Sequence, residues 1–101
     1  DAEIARQQQA LGWQMNLTVD RSLVKIAILD RDNLPMTGLD IRAVLQRPTD
    51  EAGDQVLELH EAGAGIYMAN TTIGGGVWVA DITAEGAARK PVRFVRRIFV
   101  K

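Results

Sequence analysis

From Trp13 onward the chain alternates: "WQMNLTVD" sets Trp13, Met15, Leu17 and Val19 on one side and Gln14, Asn16, Thr18 and Asp20 on the other. Successive side chains of an extended strand point to opposite faces, so this stretch predicts a strand with one buried face and one wet face. "LVKIAILD" (Leu23 to Asp30) is apolar on both faces apart from Lys25, which suits a more central strand. "DIRAVLQR" (Asp40 to Arg47), "VLELHE" (Val56 to Glu61), "GIYMANT" (Gly65 to Thr71), "VWVADITA" (Val77 to Ala84) and "VRFVRRIFV" (Val92 to Val100) bring the expected strands to seven. Asp, Asn, Pro and Gly fill the breaks at fairly regular intervals, the pattern of an all-β sandwich or barrel rather than of alternating strands and helices.

The opening residues differ. "DAEIARQQQAL" is rich in good helix formers and starts with an acid that suits the helix dipole, so Ala2 to Ala10 is expected to form a short helix ending near Gly12. The expected organisation is a helical lead-in over residues 1–12 and one β-sandwich domain over 13–101. At 101 residues the chain suffices for a single core. The absence of an initiator Met before Asp1 fits a mature or trimmed form.

Charge sharpens this picture more than composition does. The formal net charge is −1, so no overall field draws the molecule to nucleic acid. Its distribution is uneven, however: the 12 basic residues include Arg89, Lys90, Arg93, Arg96, Arg97 and Lys101, all at the end, with no acidic residue among them. In the last strand Val92, Phe94, Ile98 and Val100 share one face with Arg96 as the exception, leaving Arg93, Arg97 and Lys101 outward. With no interleaved stacking platform for bases, the segment reads as a solvated edge strand guarded by charge, with Arg93, Arg97 and Lys101 as candidate contacts to a partner.

Candidate chemistry is sparse. Gly74, Gly75 and Gly76 are followed by a strand rather than by the helix N-terminus that a phosphate loop needs, so they are expected to form a hairpin or inter-sheet turn. His60 is the only histidine and shares a strand face with Glu58. Its alternatives are a solvated side chain and a base or metal ligand without a partner His or Cys. Met15, Met36 and Met68 are soft donors of the kind that hold Cu(I), yet they show no M-x-M or H-x-M spacing, and core filling is the expectation. "DRDNLP" (Asp30 to Pro35) opens like a calcium loop but has Leu34 at a ligand position and Pro35 where the turn glycine belongs. There is no cysteine, hence no disulfide and no thiol nucleophile. No catalytic constellation, cofactor or metal site is expected, and the domain reads as not an enzyme.

Several motifs in order resemble one family. "ALGW" (Ala10 to Trp13), "LQRPTD" (Leu45 to Asp50), "GIYMA" (Gly65 to Ala69), "GVWVADITAEG" (Gly76 to Gly86) and a last strand of the R-x-x-x-V/I type are similar to the soluble domain of the FixH/CcoH family. The resemblance implies an immunoglobulin-like domain on the periplasmic side of the bacterial inner membrane, anchored by a transmembrane helix upstream of Asp1. It further implies an accessory role in assembling a cbb-type haem-copper cytochrome oxidase, with the oxidase subunits or an associated copper-transport ATPase as partners. A small copper- or ligand-binding domain using His60 and the methionines is the alternative.

Overall fold

A computed structural model describes residues 12–48, 54–86 and 90–101. They form seven strands: β1 (Gln14–Val19), β2 (Leu23–Leu29), β3 (Asp40–Gln46), β4 (Gln55–Gly63), β5 (Ile66–Asn70), β6 (Gly76–Glu85) and β7 (Val92–Val100). Every neighbouring pair is antiparallel, in the order β1-β2-β5-β4-β3-β6-β7. No helix occurs among the described residues, and the lead-in helix expected over 2–10 lies outside them.

The sheet folds over on itself at β4. Gln55 to Leu59 pair with β3, whereas His60, Glu61 and Gly63 pair with β5 across an irregularity between Glu61 and Gly63. One layer is therefore β1-β2-β5 with the second half of β4, and the other is the first half of β4 with β3-β6-β7. In immunoglobulin lettering these are A-B-E-D and C-F-G, the constant-type order. The departure from that scheme is that β4 bonds to both layers and closes one side of the sandwich. An immunoglobulin-like all-β fold is thus what the alternating pattern encodes.

The core lies between the layers. Val24, Ile26 and Ile28 line the inner face of β2 at 0% exposure, across from Ile41, Ala43 and Leu45 of β3. Small residues stand opposite large ones along the β3–β6 pair, as Ile41 with Ala84, Ala43 with Ile82 and Leu45 with Ala80. That alternation lets two twisted layers interdigitate without voids. Each fully buried Val, Ile, Leu or Phe contributes about 1.5–3 kcal/mol relative to exposure.

Two polar side chains fasten the long β2–β3 connection to this core. The Tyr67 hydroxyl donates to the Met36 carbonyl at 2.7 Å and accepts from the Leu39 amide at 3.2 Å. Both contacts are needed, because Tyr67 is wholly buried and an unpaired hydroxyl there would be costly. The Glu61 carboxylate accepts from the Gly38 amide at 3.0 Å and from the Gly65 amide at 3.4 Å. Gly65 itself has φ of 72°, and a Cβ there would fall 2.8 Å from Pro35 Cβ, so the β4–β5 turn and the connection meet where only glycine fits.

"DRDNLP" is a turn at the start of that connection. One Asp30 carboxylate oxygen accepts from the Asp32 and Leu34 amides at 2.8 and 3.0 Å, and Asn33 takes the left-handed conformation with φ of 62°. Asparagine tolerates that region better than most residues.

Candidate functional site

β7 is the last strand in the sheet order and pairs, among the described residues, with β6 alone. Its inner face, Val92, Phe94 and Val100, is buried, while Arg93, Val95, Arg97 and Phe99 all point outward. The structure thus places Arg93 and Arg97 on one face of one edge strand, with Lys101 exposed just beyond it. It does not leave them equivalent. Arg93 donates Nε to Asp81 Oδ1 at 2.7 Å and a second guanidinium nitrogen to Oδ2, a bidentate pair between adjacent strands. Those hydrogen bonds raise the pKa of Arg93 above its ordinary value, the Asp81 charge adding to them, and its charge is largely compensated. Arg97 stands opposite Val79, and no carboxylate pairs with it among the described residues.

Phe99 and Val95 were not among the candidates that sequence reasoning drew from this strand. Phe99 is 69% exposed and Val95 43%, and their neighbours on β6 are Val77, opposite Phe99, and Val79, opposite Arg97. The surface is therefore an apolar strip with basic residues set into it. Strict alternation from Val92 already assigns Val95 and Phe99 to the outer face, so the signal was present.

Arg96 also departs from the two-face pattern. It occupies an inward position yet is exposed, its guanidinium 5.7 Å from the Phe94 ring centroid and donating to the Val95 carbonyl at 3.1 Å. At this point along β7 the interior is open to solvent. The inner residues of β1, Met15, Leu17 and Val19, are correspondingly only half-buried. A seam thus runs between β1 and β7. It is drawn together at one end, where Arg21 Nε donates to the Lys101 carbonyl at 2.7 Å and the end of β1 meets the end of β7.

Next to this seam sits the triple glycine, on the connection that carries the chain from the β5 layer to the β6 layer. It is an inter-sheet crossing, and it is fastened on several sides. Trp78 Nε1 donates to the Gly74 carbonyl at 3.0 Å, and Arg47 donates to the Gly75 and Val77 carbonyls at 2.9 and 3.2 Å. The Arg47 guanidinium also lies 4.0 Å from the Trp78 ring centroid, a cation–π contact that buries the indole to 5% exposure. Cβ atoms at Gly75 and Gly76 would each come within 2.8 Å of an arginine nitrogen, of Arg21 and Arg47 respectively. Those arginine tips could swing aside, so what favours glycine is the backbone: Gly76 has φ of 113°, and a Cβ at Gly75 would also lie 3.2 Å from the Val100 carbonyl oxygen.

The remaining candidates fall apart into separate places. Met15 lies on the inner face of β1 and Met36 packs against the core from the β2–β3 connection. Met68 is on the outer face of β5, directly opposite His60 on β4 and Lys25 on β2. His60 also borders an open groove of about 400 Å³ whose lining includes Asp40, Arg42, Glu58 and Glu85. Within it Arg42 and Glu58 form an exposed ion pair at 3.8 Å, of a kind that contributes little.

Together these features define an immunoglobulin-like domain whose most distinctive surface is a basic, apolar-bearing edge strand. The chain belongs to the FixH family, whose model it matches over residues 1–99. It is 33% identical over 92 residues to the nitrogen fixation protein FixH of Rhizobium meliloti (strain 1021), covering 86% of this chain and 54% of that protein. The chain thus spans about half the length of that curated relative. No solved structure matches it significantly.

Proposed function

We propose that this domain is the contact module of a non-catalytic accessory protein in nitrogen fixation, working by binding a membrane partner rather than by transforming a substrate. Membership of the FixH family supports the accessory role, together with a relative that carries nitrogen fixation in its name. The resemblance of "ALGW", "LQRPTD" and "GVWVADITAEG" to the FixH/CcoH pattern supports the finer reading. In it the domain lies on the periplasmic side of the inner membrane, held there by an upstream anchor, and assists assembly of a cbb-type haem-copper oxidase. Its partners are then oxidase subunits or the associated copper-transport ATPase.

The observation that carries the contact role is the outer face of β7, where Phe99 and Val95 stand exposed beside Arg97 and Lys101. Lone surface apolar residues need no explanation, but an apolar strip on an edge strand, beside basic residues unpaired among the described residues and with Asp81 opposite Val95 already held by Arg93, fits a partner's surface. Tethering lets such a contact be weak, because an anchor raises the local concentration of the partner to the order of millimolar. Replacing Arg93, Arg97 and Lys101 with Gln in the full-length anchored protein should reduce its co-purification with the oxidase, more so at low salt, while the fold is kept. The soluble fragment alone should neither restore oxidase assembly nor co-purify strongly. Full activity of the free fragment would contradict the tethered reading.

A second reading has one observation in its favour. His60 and Met68 are cross-strand neighbours on an outer face, an imidazole beside a thioether, and both are suitable donors for Cu(I). Calorimetric titration with Cu(I) under reducing conditions decides between the readings. The contact role predicts no stoichiometric site; micromolar or tighter binding lost in His60→Ala or Met68→Ala would establish copper handling instead.

A further inference from the structure

We infer that the free edge of β7 accepts an extended, acidic segment of the partner as an added strand, inserted along the seam between β7 and β1. This rests on the reading of the domain as a contact module and specifies how the contact is made.

Four observations converge on it. β7 is nine residues long with neither Pro nor Gly, and it ends the sheet order, so its outer main-chain groups have no partner strand among the described residues. Beside it the sandwich is incompletely closed: Arg96 is exposed from an inward position, and Leu17 of β1 and Ile98 of β7 are half-buried. An added strand there would complete the cover over these side chains while satisfying backbone groups, the mode of recognition in which main-chain bonds give affinity and alternate side chains give specificity. Arg96 and Arg97 leave the middle of β7 toward opposite faces, and no carboxylate pairs with either among the described residues. Finally, Val95 and Phe99 flank Arg97 on the outer face, spaced to receive apolar side chains from alternate positions of the incoming strand.

Charge selects the occupant. A second copy adding its own β7 in antiparallel fashion, centred on Arg96, would set Arg96 against Arg96 with Arg97 and Arg93 close on either side. Like charges directly opposed across strands are destabilising. An acidic segment meets the same positions with complementary charge, and on whichever of its faces the carboxylates lie, one of the two arginines meets them. A purely defensive edge, guarded against aggregation by charge, accounts for the arginines but not for a phenylalanine left 69% exposed among them.

The experiment uses the chain as it stands and two synthetic octapeptides of alternating pattern, one Glu-Val and one Lys-Val, with binding followed by NMR titration and amide hydrogen exchange. The acidic peptide should bind saturably below about 1 mM and slow exchange in β7 by about tenfold while β1 stays unchanged outside the seam. Raising salt from about 0.05 to 0.5 M should weaken that binding severalfold, as screening requires. N-methylation of every second amide on the pairing edge of the peptide should abolish binding, which separates strand addition from docking on the face. Arg96→Glu with Arg97→Glu, both at exposed positions, should reverse the preference in favour of the Lys-Val peptide at unchanged thermal stability. No saturable binding, equal binding of the two peptides, insensitivity to N-methylation, or formation of a dimer through β7 would each overturn the inference. Co-purification of the anchored protein with its oxidase would survive any of those results, so the two claims fail separately.

Discussion

β1 and β7 are the two edges of one hydrogen-bonded sheet, and they meet water differently. β1 offers Gln14, Asn16 and Thr18 on its outer face; β7 offers Arg93, Val95, Arg97 and Phe99. An edge strand needs only polarity and short length to avoid pairing with other chains, and the six residues of β1 supply both. The nine residues of β7 do the opposite in length and carry exposed apolar groups besides. The contrast extends inward, since β7 buries Val92, Phe94 and Val100 almost completely while β1 covers the core with half-buried side chains. β7 is thus anchored firmly from beneath and dressed for contact from above, whereas β1 is a lid that keeps water off.

The largest expected effect lies on β6, the strand that pairs with β7. Trp78 stands opposite Ile98, and Trp78→Ala should cost about 3–5 kcal/mol in chemical denaturation, as truncation of a buried aromatic does. Leu17→Ala, on the inner face of β1, should cost less than about 2 kcal/mol, because that side chain is only partly buried. Equal costs would erase the inward half of the contrast, and a loss below about 1 kcal/mol for Trp78→Ala would place its ring at the surface.

Tyr67 tests the layer that β1 covers. Tyr67→Phe removes a hydroxyl that both donates and accepts, orphaning the Leu39 amide, and should cost about 1–3 kcal/mol. Burial raises the Tyr67 pKa above 10.0, with the nearby Glu61 charge adding to it and the Leu39 hydrogen bond opposing. The neutral phenol is therefore favoured by folding, and its contribution is fully present below the unfolded pKa near 10 and lost as pH rises through the folded value. Melting temperature should fall more steeply above pH 10 in the parent than in Tyr67→Phe. Parallel curves would show that the hydroxyl ionises freely in the folded state.

A smaller effect separates the arginines of β7. Because Asp81 compensates Arg93, Arg93→Gln should weaken partner binding less than Arg97→Gln does, with little change of stability in either. Binding assays across salt concentration on the full-length protein check the order. The reverse order would mean that the Arg93–Asp81 pair opens on contact and that Arg93 itself meets the partner.

Much of this molecule was legible before its structure. Period-two alternation located all seven strands, and β7 has the bounds its pattern predicts. β4 ran further than expected, to Gly63 rather than Glu61, because the irregularity that lets it change layers uses an Ala-Gly stretch that reads locally as a turn. Trp78 and Tyr67 bury their rings and send their polar atoms to backbone carbonyls, as strand-borne aromatics with a polar handle do. The clamp of Arg47 on the triple glycine was not legible, since Arg47 and Gly75 lie 28 positions apart in sequence and no local rule pairs them. The candidate surface was half legible. Charge drew attention to Arg93, Arg97 and Lys101, but only the fold shows Arg93 neutralised, Arg96 at an open seam, and Val95 and Phe99 left bare beside them.

β7, not β1, is the edge proposed to meet the partner. The most direct test is co-purification of the full-length protein with the oxidase proposed as its partner, comparing Arg97→Glu with Phe99→Ser on β7 against Asn16→Glu with Thr18→Glu on β1, each double variant first shown to melt like the parent. The β7 variant should lose most of the captured oxidase and the β1 variant should retain it. Retention by the β7 variant, or equal loss from both, would contradict the claim.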